Sequence, residues 1–489
     1  MITNPSIYEI NTRVFLKRFG NEAKLKDVPK SYWEYFIQKK FDYIWLMGIW
    51  KTCKSTIDKY CFEDYLIQSY ERALKNWERN DVIGSPYSID VYEVNTDIGN
   101  FDTLQKLKSF LNKNNIGLIL DFVPNHFSAD SQLIRTNPSF FLSVNKETFE
   151  RDPHTFYKPF EDEEKYYAHG RDPFFPAWQD TIQVNYFSKD VRKYFKEVLK
   201  NLTKYCDGVR CDMAMLGLNN VFKNTWAGVI DKCENELSTT EFWSEIISEI
   251  KKVRNDFIFI GEVYWNLEKD LQKLGFDFTY DKSLLDKFKF GNALDIYEHL
   301  QLDEEYQKKS VRFIENHDEE RAIVSLGKEK SKVAAIIIST IPGMHLYYDG
   351  QFEGKKIKLP VQLGREPEEL TQKDLKEFYD KLLDITSSEI FKVGTWKLLE
   401  SLPSWESNHT FTNILAWQWE LNSQRCLVAV NYSDTISSCR IKLDVRNYPE
   451  TFEIKDLLNN QTYYRLAEEV YHIGLYVELK PYQAHIFFY

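Results

Sequence analysis

The chain has 489 residues and a net charge of -11, from 63 basic and 74 acidic side chains. An acidic chain lacks the basic face that a phosphate backbone requires, which argues against nucleic acid as a partner. Its longest nearly apolar run, Val333 to Ile341, is too short to cross a bilayer, whereas a hydrophobic fraction of 43% is enough to bury a large core.

Strand-like and helix-like stretches alternate from residue 7 to about residue 390. Ile7 to Val14 reads as a first strand and Phe41 to Met47 as a second, with Trp33, Phe36 and Ile37 on one face of a helix between them. Leu104, Leu107, Phe110 and Leu111 mark another helix, ahead of a strand through Gly117-Leu118-Ile119-Leu120 that runs into Asp121. Later strands are expected to end near Asp212, Glu262, Asp281, Asp318 and Tyr348. Such alternation fits a doubly wound sheet or a barrel, and eight strand candidates favour a (β/α)8 TIM barrel. One βα unit fits between Asp212 and Glu262 and two between Glu262 and Asp318. The interval from Asp121 to Asp212 is far longer than the single unit expected there. The surplus, residues 127–186, is rich in aromatics such as Phe156, Tyr157, Phe160 and Trp178 and shows no helix period. It predicts a small subdomain inserted after the third strand, over the face where barrels carry their chemistry. An amphipathic helix resumes behind it, with Val191, Phe195, Leu199 and Leu202 on one stripe and Ser188 as its N-cap.

Past residue 390 the pattern becomes all-β. Ile414 to Glu420, Arg425 to Asn431, Arg440 to Leu443, Thr451 to Ile454, Leu475 to Leu479 and Ala484 to Phe488 read as short strands separated by turn residues. The predicted organisation is a barrel from 1–126 and 187–390, the inserted subdomain 127–186, and a C-terminal β-sandwich 391–489. Met1 to Ile10 show no basic stretch leading into an apolar one, so no secretory leader is expected. The seven cysteines, 53, 61, 206, 211, 233, 426 and 439, lack metal-ligand spacing and are read as reduced thiols of a cytoplasmic protein.

Four segments carry acids at or just past strand ends, in fixed order: Asp121-Phe122-Val123-Pro124-Asn125-His126, Gly208-Val209-Arg210-Cys211-Asp212, Gly261-Glu262-Val263-Tyr264 and Phe313-Ile314-Glu315-Asn316-His317-Asp318. Acids at the ends of successive barrel strands converge on one face, and paired carboxylates there suit glycosidic bond cleavage. In order and content these segments resemble the α-amylase family of retaining glycoside hydrolases and transglycosylases (family 13). The inserted subdomain and the C-terminal β module extend the resemblance over nearly the whole chain. It implies Asp212 as nucleophile, Glu262 as general acid/base and Asp318 as the acid that holds the sugar ring distorted. Arg210, on the same strand face as Asp212, is expected to keep that carboxylate ionised, and neighbouring charge and burial to raise Glu262. His126 and His317 are implied as hydroxyl contacts, and Tyr87 in Gly84-Ser85-Pro86-Tyr87 as a stacking platform for the sugar. Asp121 is implied as a hydrogen-bonding structural acid.

The chain departs from the family at three places. Where a Lys and a His often follow the nucleophile and line the acceptor side, it has Met215 and Leu216. Where the family's calcium site uses an Asp and that His, it has Gln183 and Leu216, with only Asn125 retained. Calcium prefers carboxylate oxygens, so no tightly bound calcium and no other cofactor is expected. The stretch from Gly350 to Arg365 extends the eighth loop, as in a bacterial α-amylase-like subgroup, and either packs on the C-terminal module or meets substrate. The expectation is a cytoplasmic retaining α-glycosidase acting on α-1,4-linked glucose oligo- or polysaccharides. The alternatives are an α-glucan transglycosylase, an enzyme of small saccharides such as maltose, trehalose or sucrose, and a non-catalytic sugar-binding protein. The sequence leaves the oligomeric state open.

Overall fold

The computed structural model describes residues 3–230 and 240–489. Eight parallel strands close into a barrel: β1 (Ser6–Asn11), β2 (Tyr43–Met47), β3 (Gly117–Phe122), β4 (Gly208–Cys211), β5 (Ile258–Gly261), β6 (Phe278–Tyr280), β7 (Ser310–Arg312) and β8 (Met344–Tyr348). Closure is made where Ser6 to Glu9 pair with His345 to Tyr348. Ile44, Trp45, Leu46 and Met47 are all fully buried, as a parallel strand covered on both faces requires. The helix Phe101–Lys113 buries Leu104, Leu107 and Leu111, and the Asn100 side chain caps it through the Thr103 N–H.

Two strands stop earlier than the sequence suggests. β1 ends at Asn11 and Thr12–Phe15 turn helical, which lets buried Arg13 donate to the carbonyls of Gly84 (2.8 Å) and Val361 (2.7 Å). β7 ends at Arg312, so Asp318 stands on a loop well beyond it. That loop is shaped by Asn316, whose Oδ1 accepts the N–H groups of Asp318 and Glu319 at 2.9 Å. The helix after the insertion spans Lys189–Leu202, yet the Ser188 side chain makes no capping bond.

Residues 127–186 form small β structures and, unlike the expectation of no helix, the short helices Leu133–Thr136 and Lys146–Arg151, the latter capped by the Asn145 side chain. Thr181–Gln183 pair antiparallel with His126–Ser128, and Tyr166–Ala168 lie between Ser143–Val144 and Phe156–Tyr157. At the C-terminus, a six-stranded antiparallel sheet faces a three-stranded one. Strand Ile414–Leu421 alternates: Ile414 and Ala416 join the core between these sheets, while Leu415, Trp417 and Trp419 pack into the barrel's core. The apolar run from Val333 is the helix Lys328–Thr340, buried throughout this stretch because it lies against that sheet, with Trp419 Nε1 donating to the Thr340 carbonyl at 2.7 Å. The described cysteines are all free thiols, and Cys206 and Cys211 are buried. Cys233 lies outside the described residues.

Candidate active site

Strand ends dictate the site. Side chains at the C-terminal ends of β3, β4 and β5 and on the β7 loop point to the barrel mouth, which opens into a cleft of about 800 Å³. Tyr87, His126, Asp212, Met213, Glu262, Tyr264 and Asp318 line it. Arg210 and His317 lie just beneath. All seven residues singled out from the sequence are thus brought together.

Arg210 is 1% exposed and shared between two acids, with Nη1 2.7 Å from Asp212 Oδ1 and Nη2 2.8 Å from Glu262 Oε2. Its Nε donates to the Tyr280 hydroxyl at 3.2 Å. Burial, followed by the Glu262 charge, pushes Asp212 up to about 8 against the pull of Arg210. This differs from the expectation that the Arg210 charge keeps Asp212 ionised. Asp212 therefore stands well above the ordinary carboxylate range and holds its proton at neutral pH. Glu262 is held by the Met213 N–H (2.7 Å) and the Tyr264 hydroxyl (2.8 Å). Met213 reaches it from a left-handed conformation, φ 43°, a strained backbone directly after Asp212.

Asp318 lies 2.9 Å from His317 Nε2. Desolvation would raise Asp318, although its side chain is 43% exposed, but His317, Arg210 and Lys358 together outweigh it and hold the acid at about 2. Tyr87 stacks on His317 with ring centroids 5.4 Å apart and bonds its Nε2 through the hydroxyl at 2.8 Å. His126 packs against Trp178, and burial pushes its imidazole down to about 4, leaving it neutral. Asp121 faces inward as a structural acid, accepting from Trp45 Nε1 (3.1 Å) and from the N–H of Gly48 (2.7 Å), whose φ of +76° turns that N–H inward. Burial raises Asp121 to about 6.

Sequence reasoning missed Glu9, Tyr264, Tyr280 and the Met213 N–H. Glu9 had a signal: an acid inside the fully buried run Ser6–Asn11 must have a partner. The Met213 contact had none, because a backbone donor is invisible in a side-chain pattern. Met215 and Leu216 are both buried and do not line the cleft, so the acceptor wall comes from elsewhere. Exposed Tyr65 and Phe175, with Trp178, supply part of the rest of the wall. The extended eighth loop packs on the second βα loop, where Leu363 bridges Val82 and Arg365 pairs with Asp81 (2.7 Å). Its Gln362 lines the cleft, and the Lys358 ammonium bonds the Asp318 carbonyl.

The residues at the family's calcium position do not fit that ion. Gln183 is fully buried, and its Nε2 donates to the Asn125 carbonyl (2.9 Å), Asn125 Oδ1 (3.1 Å) and the Val184 carbonyl (3.0 Å). A donor thus faces the oxygens that a cation would need, and Leu216 beside the nucleophile is apolar. Among the described residues no group of three or more His, Cys, Asp or Glu is placed to hold a metal.

Comparison with known proteins agrees with this geometry. Residues 34–383 match the family described as "Alpha amylase, catalytic domain". Alpha-amylase 3 of Dictyoglomus thermophilum is 24% identical over 311 residues, covering 59% of this chain and 57% of that protein. A cyclomaltodextrin glucanotransferase of Bacillus sp. (strain 1-1) is 26% identical over 309 residues, covering 59% and 40%. The matches therefore span less than two thirds of these relatives' own length. Among solved structures, a maltogenic α-amylase from Thermotoga neapolitana superposes with a TM-score of 0.70 at 18% identity, over 100% of this chain and 99% of that one. A trehalose-6-phosphate hydrolase from Bacillus licheniformis does so with a TM-score of 0.67 at 15% identity, over 99% of each. With the closed barrel, the C-terminal β module and the matched catalytic region, the chain belongs to the α-amylase family (glycoside hydrolase family 13).

Proposed function

We propose that this enzyme cleaves α-1,4-linked glucose oligosaccharides with retention at the anomeric carbon. The observation that carries the reading is the single Arg210 guanidinium spanning Asp212 and Glu262 at the floor of the cleft. Two acids on one guanidinium stand close together. That supports direct attack by one carboxylate, whose separation from the acid is about 5–5.5 Å in retaining enzymes, over attack through an intervening water. The first step needs one proton on the pair, at Glu262, with Asp212 ionised. With the leaving oxygen beside Glu262, the proton moves to that oxygen as Asp212 attacks, and Glu262 then takes a proton from the incoming water. Asp318, kept ionised by His317, accepts from sugar hydroxyls, Tyr87 stacks on the ring, and neutral His126 hydrogen-bonds a hydroxyl. Presence of all three acids weighs against a non-catalytic sugar-binding protein.

The second reading is glucan transfer, in which a sugar hydroxyl replaces water. Exposed Phe175 and Tyr65 at the mouth favour it, since aromatic faces hold an acceptor sugar as well as a substrate. We further propose that the loop bearing Asn125 and His126 is held by the Gln183 amide without calcium, and that the enzyme works among cytoplasmic glucans, which the free thiols support. Incubation with maltoheptaose, with Asp212→Asn as blank, separates the readings. Shorter products with rising reducing ends identify a hydrolase. Longer and shorter products at constant reducing ends identify a transferase. No turnover by the wild type rejects both.

A further inference from the structure

Glu9 sits in the middle of β1 and is fully buried inside the barrel. Its neighbours in register, Trp45 on β2 and Tyr348 on β8, offer it no charge. Oε1 pairs with Nδ1 of His317, and Oε2 has no hydrogen-bond partner. On the far edge of the same imidazole, Nε2 meets the Tyr87 hydroxyl at 2.8 Å and Asp318 Oδ2 at 2.9 Å. His317 is therefore clamped between a carboxylate in the barrel interior and one in the cleft. The remaining faces of the ring are aromatic, with Trp45 edge-on at 5.6 Å and Tyr87 stacked.

The charges packed around this line do not replace that role. Asp121 and Glu315 also face Glu9, both as acids, and Glu315 has its own cation in Arg321 at 2.7 Å. Arg210 and Lys358 act on Asp318 from the other side. Burial alone would lower His317, yet the charges of Asp318 and Glu9 outweigh it and hold the imidazole at about 10. In that state both ring nitrogens carry protons.

We propose that Glu9 is a positioning residue of the active site, whose buried carboxylate keeps His317 an imidazolium so that its Nε2–H points to Asp318 and to the Tyr87 oxygen. The inference rests on the reading of Asp318 as the acid that holds the sugar. It fixes two directions at once. With Nε2 as donor, the Tyr87 oxygen accepts and the phenol proton is released toward the cleft. A neutral His317 that donates Nδ1–H to Glu9 presents instead a lone pair to Asp318, which repels the carboxylate and reverses the Tyr87 bond. An amide at position 9 keeps the hydrogen bond and loses the charge, and so separates positioning by charge from plain packing.

The test is Glu9→Gln. The side-chain nitrogens of His317, assigned by loss of their signal in His317→Asn, are titrated by NMR in wild type and variant. The wild-type ring should stay protonated past about pH 9, and the variant midpoint should fall by at least about one unit. For maltoheptaose, the ratio of variant to wild-type kcat/KM should decline as pH rises toward the wild-type His317 midpoint, to about one tenth, on top of the alkaline limb that both enzymes share through the acid pair. An unmoved midpoint, or a loss of activity equal at every pH, overturns the proposal in favour of packing alone. If the glutamine variant fails to fold, Glu9→Asp serves, since it keeps the charge. It should retain the alkaline midpoint, and an ordinary histidine midpoint there overturns the proposal. The titration is independent of turnover, so an inactive wild type rejects the glycosidase reading while the NMR result still decides Glu9.

Discussion

Two buried clusters of charge lie on opposite sides of the barrel wall, built from the same residue types. Outside, between β6, β7 and the helices that cover them, Asp281 accepts from the Leu284 N–H (3.1 Å), His299 Nε2 (2.8 Å) and Arg312 Nη1. Arg312 also donates to the Pro342 carbonyl (3.1 Å) and to Gln307. One acid meets one guanidinium, and every direction is filled. Burial would raise Asp281, but Arg312 and His299 outweigh it and hold the acid at about 2. Inside, toward the mouth, Glu9, Asp212, Glu262 and Asp318 share Arg210 and His317, with the Lys358 ammonium reaching the Asp318 carbonyl, and Asp212 is pushed up to about 8. A saturated, balanced cluster holds the wall together. A cluster with surplus acid and an open side keeps a proton to give away.

Substitutions in the two clusters should have different consequences. The largest effect should be that of Asp212→Asn, which should lower kcat by about 10⁴-fold or more while unfolding remains cooperative. Its counterpart Asp281→Asn should leave Arg312 buried without its anion and lose about 3–5 kcal/mol in urea unfolding. The folded fraction should keep kcat within a few-fold, and a variant that lost turnover but not stability would dissolve the distinction.

Stability against pH should run in opposite directions. Asp281 is depressed, so its contribution is present above the unfolded value near 3.9 and is lost as pH falls toward 2, about 2–3 kcal/mol in all. Asp212 is raised, so the folded protein binds a proton that the unfolded chain releases, and this contribution is lost as pH rises from about 4 to 8. Asp212→Asn should therefore melt higher than wild type at pH 8 and close to it at pH 4. Thermal scans of both variants at three pH values check the signs.

Two smaller effects concern the cleft walls. A chelator should leave the melting temperature unchanged, whereas Gln183→Leu should lose about 1–3 kcal/mol by stripping a donor from three buried oxygens. A fall of several degrees with chelator would restore calcium to that loop. Phe175→Ala should raise KM for maltoheptaose a few-fold, about 1 kcal/mol, with kcat within twofold. Equal kinetics for the variant would remove Phe175 from the sugar path.

Much of the site was legible because strands alternate inward and outward. Arg210 and Asp212, two apart, share a face, and the ends of β3, β4 and β5 share a level, so order and spacing alone predict the cleft. Asp318 was legible as a motif but misplaced as a strand end, since the Asn316 turn that presents it is a tertiary feature. The expectation that the extended eighth loop reaches either the C-terminal module or substrate was narrowed by contacts with Val82 and Asp81, partners far away in sequence.

The alternation of elements, the barrel, the β module and the acids that meet at the mouth can be read along the chain, because periodicity and residue type are local properties. Where protons sit follows from the folded arrangement. Sharing Arg210 between two acids, clamping His317 between Glu9 and Asp318, and aiming the Gln183 amide at three oxygens all depend on distances between segments far apart in the chain. Desolvation and charge at those distances set the chemistry of each group.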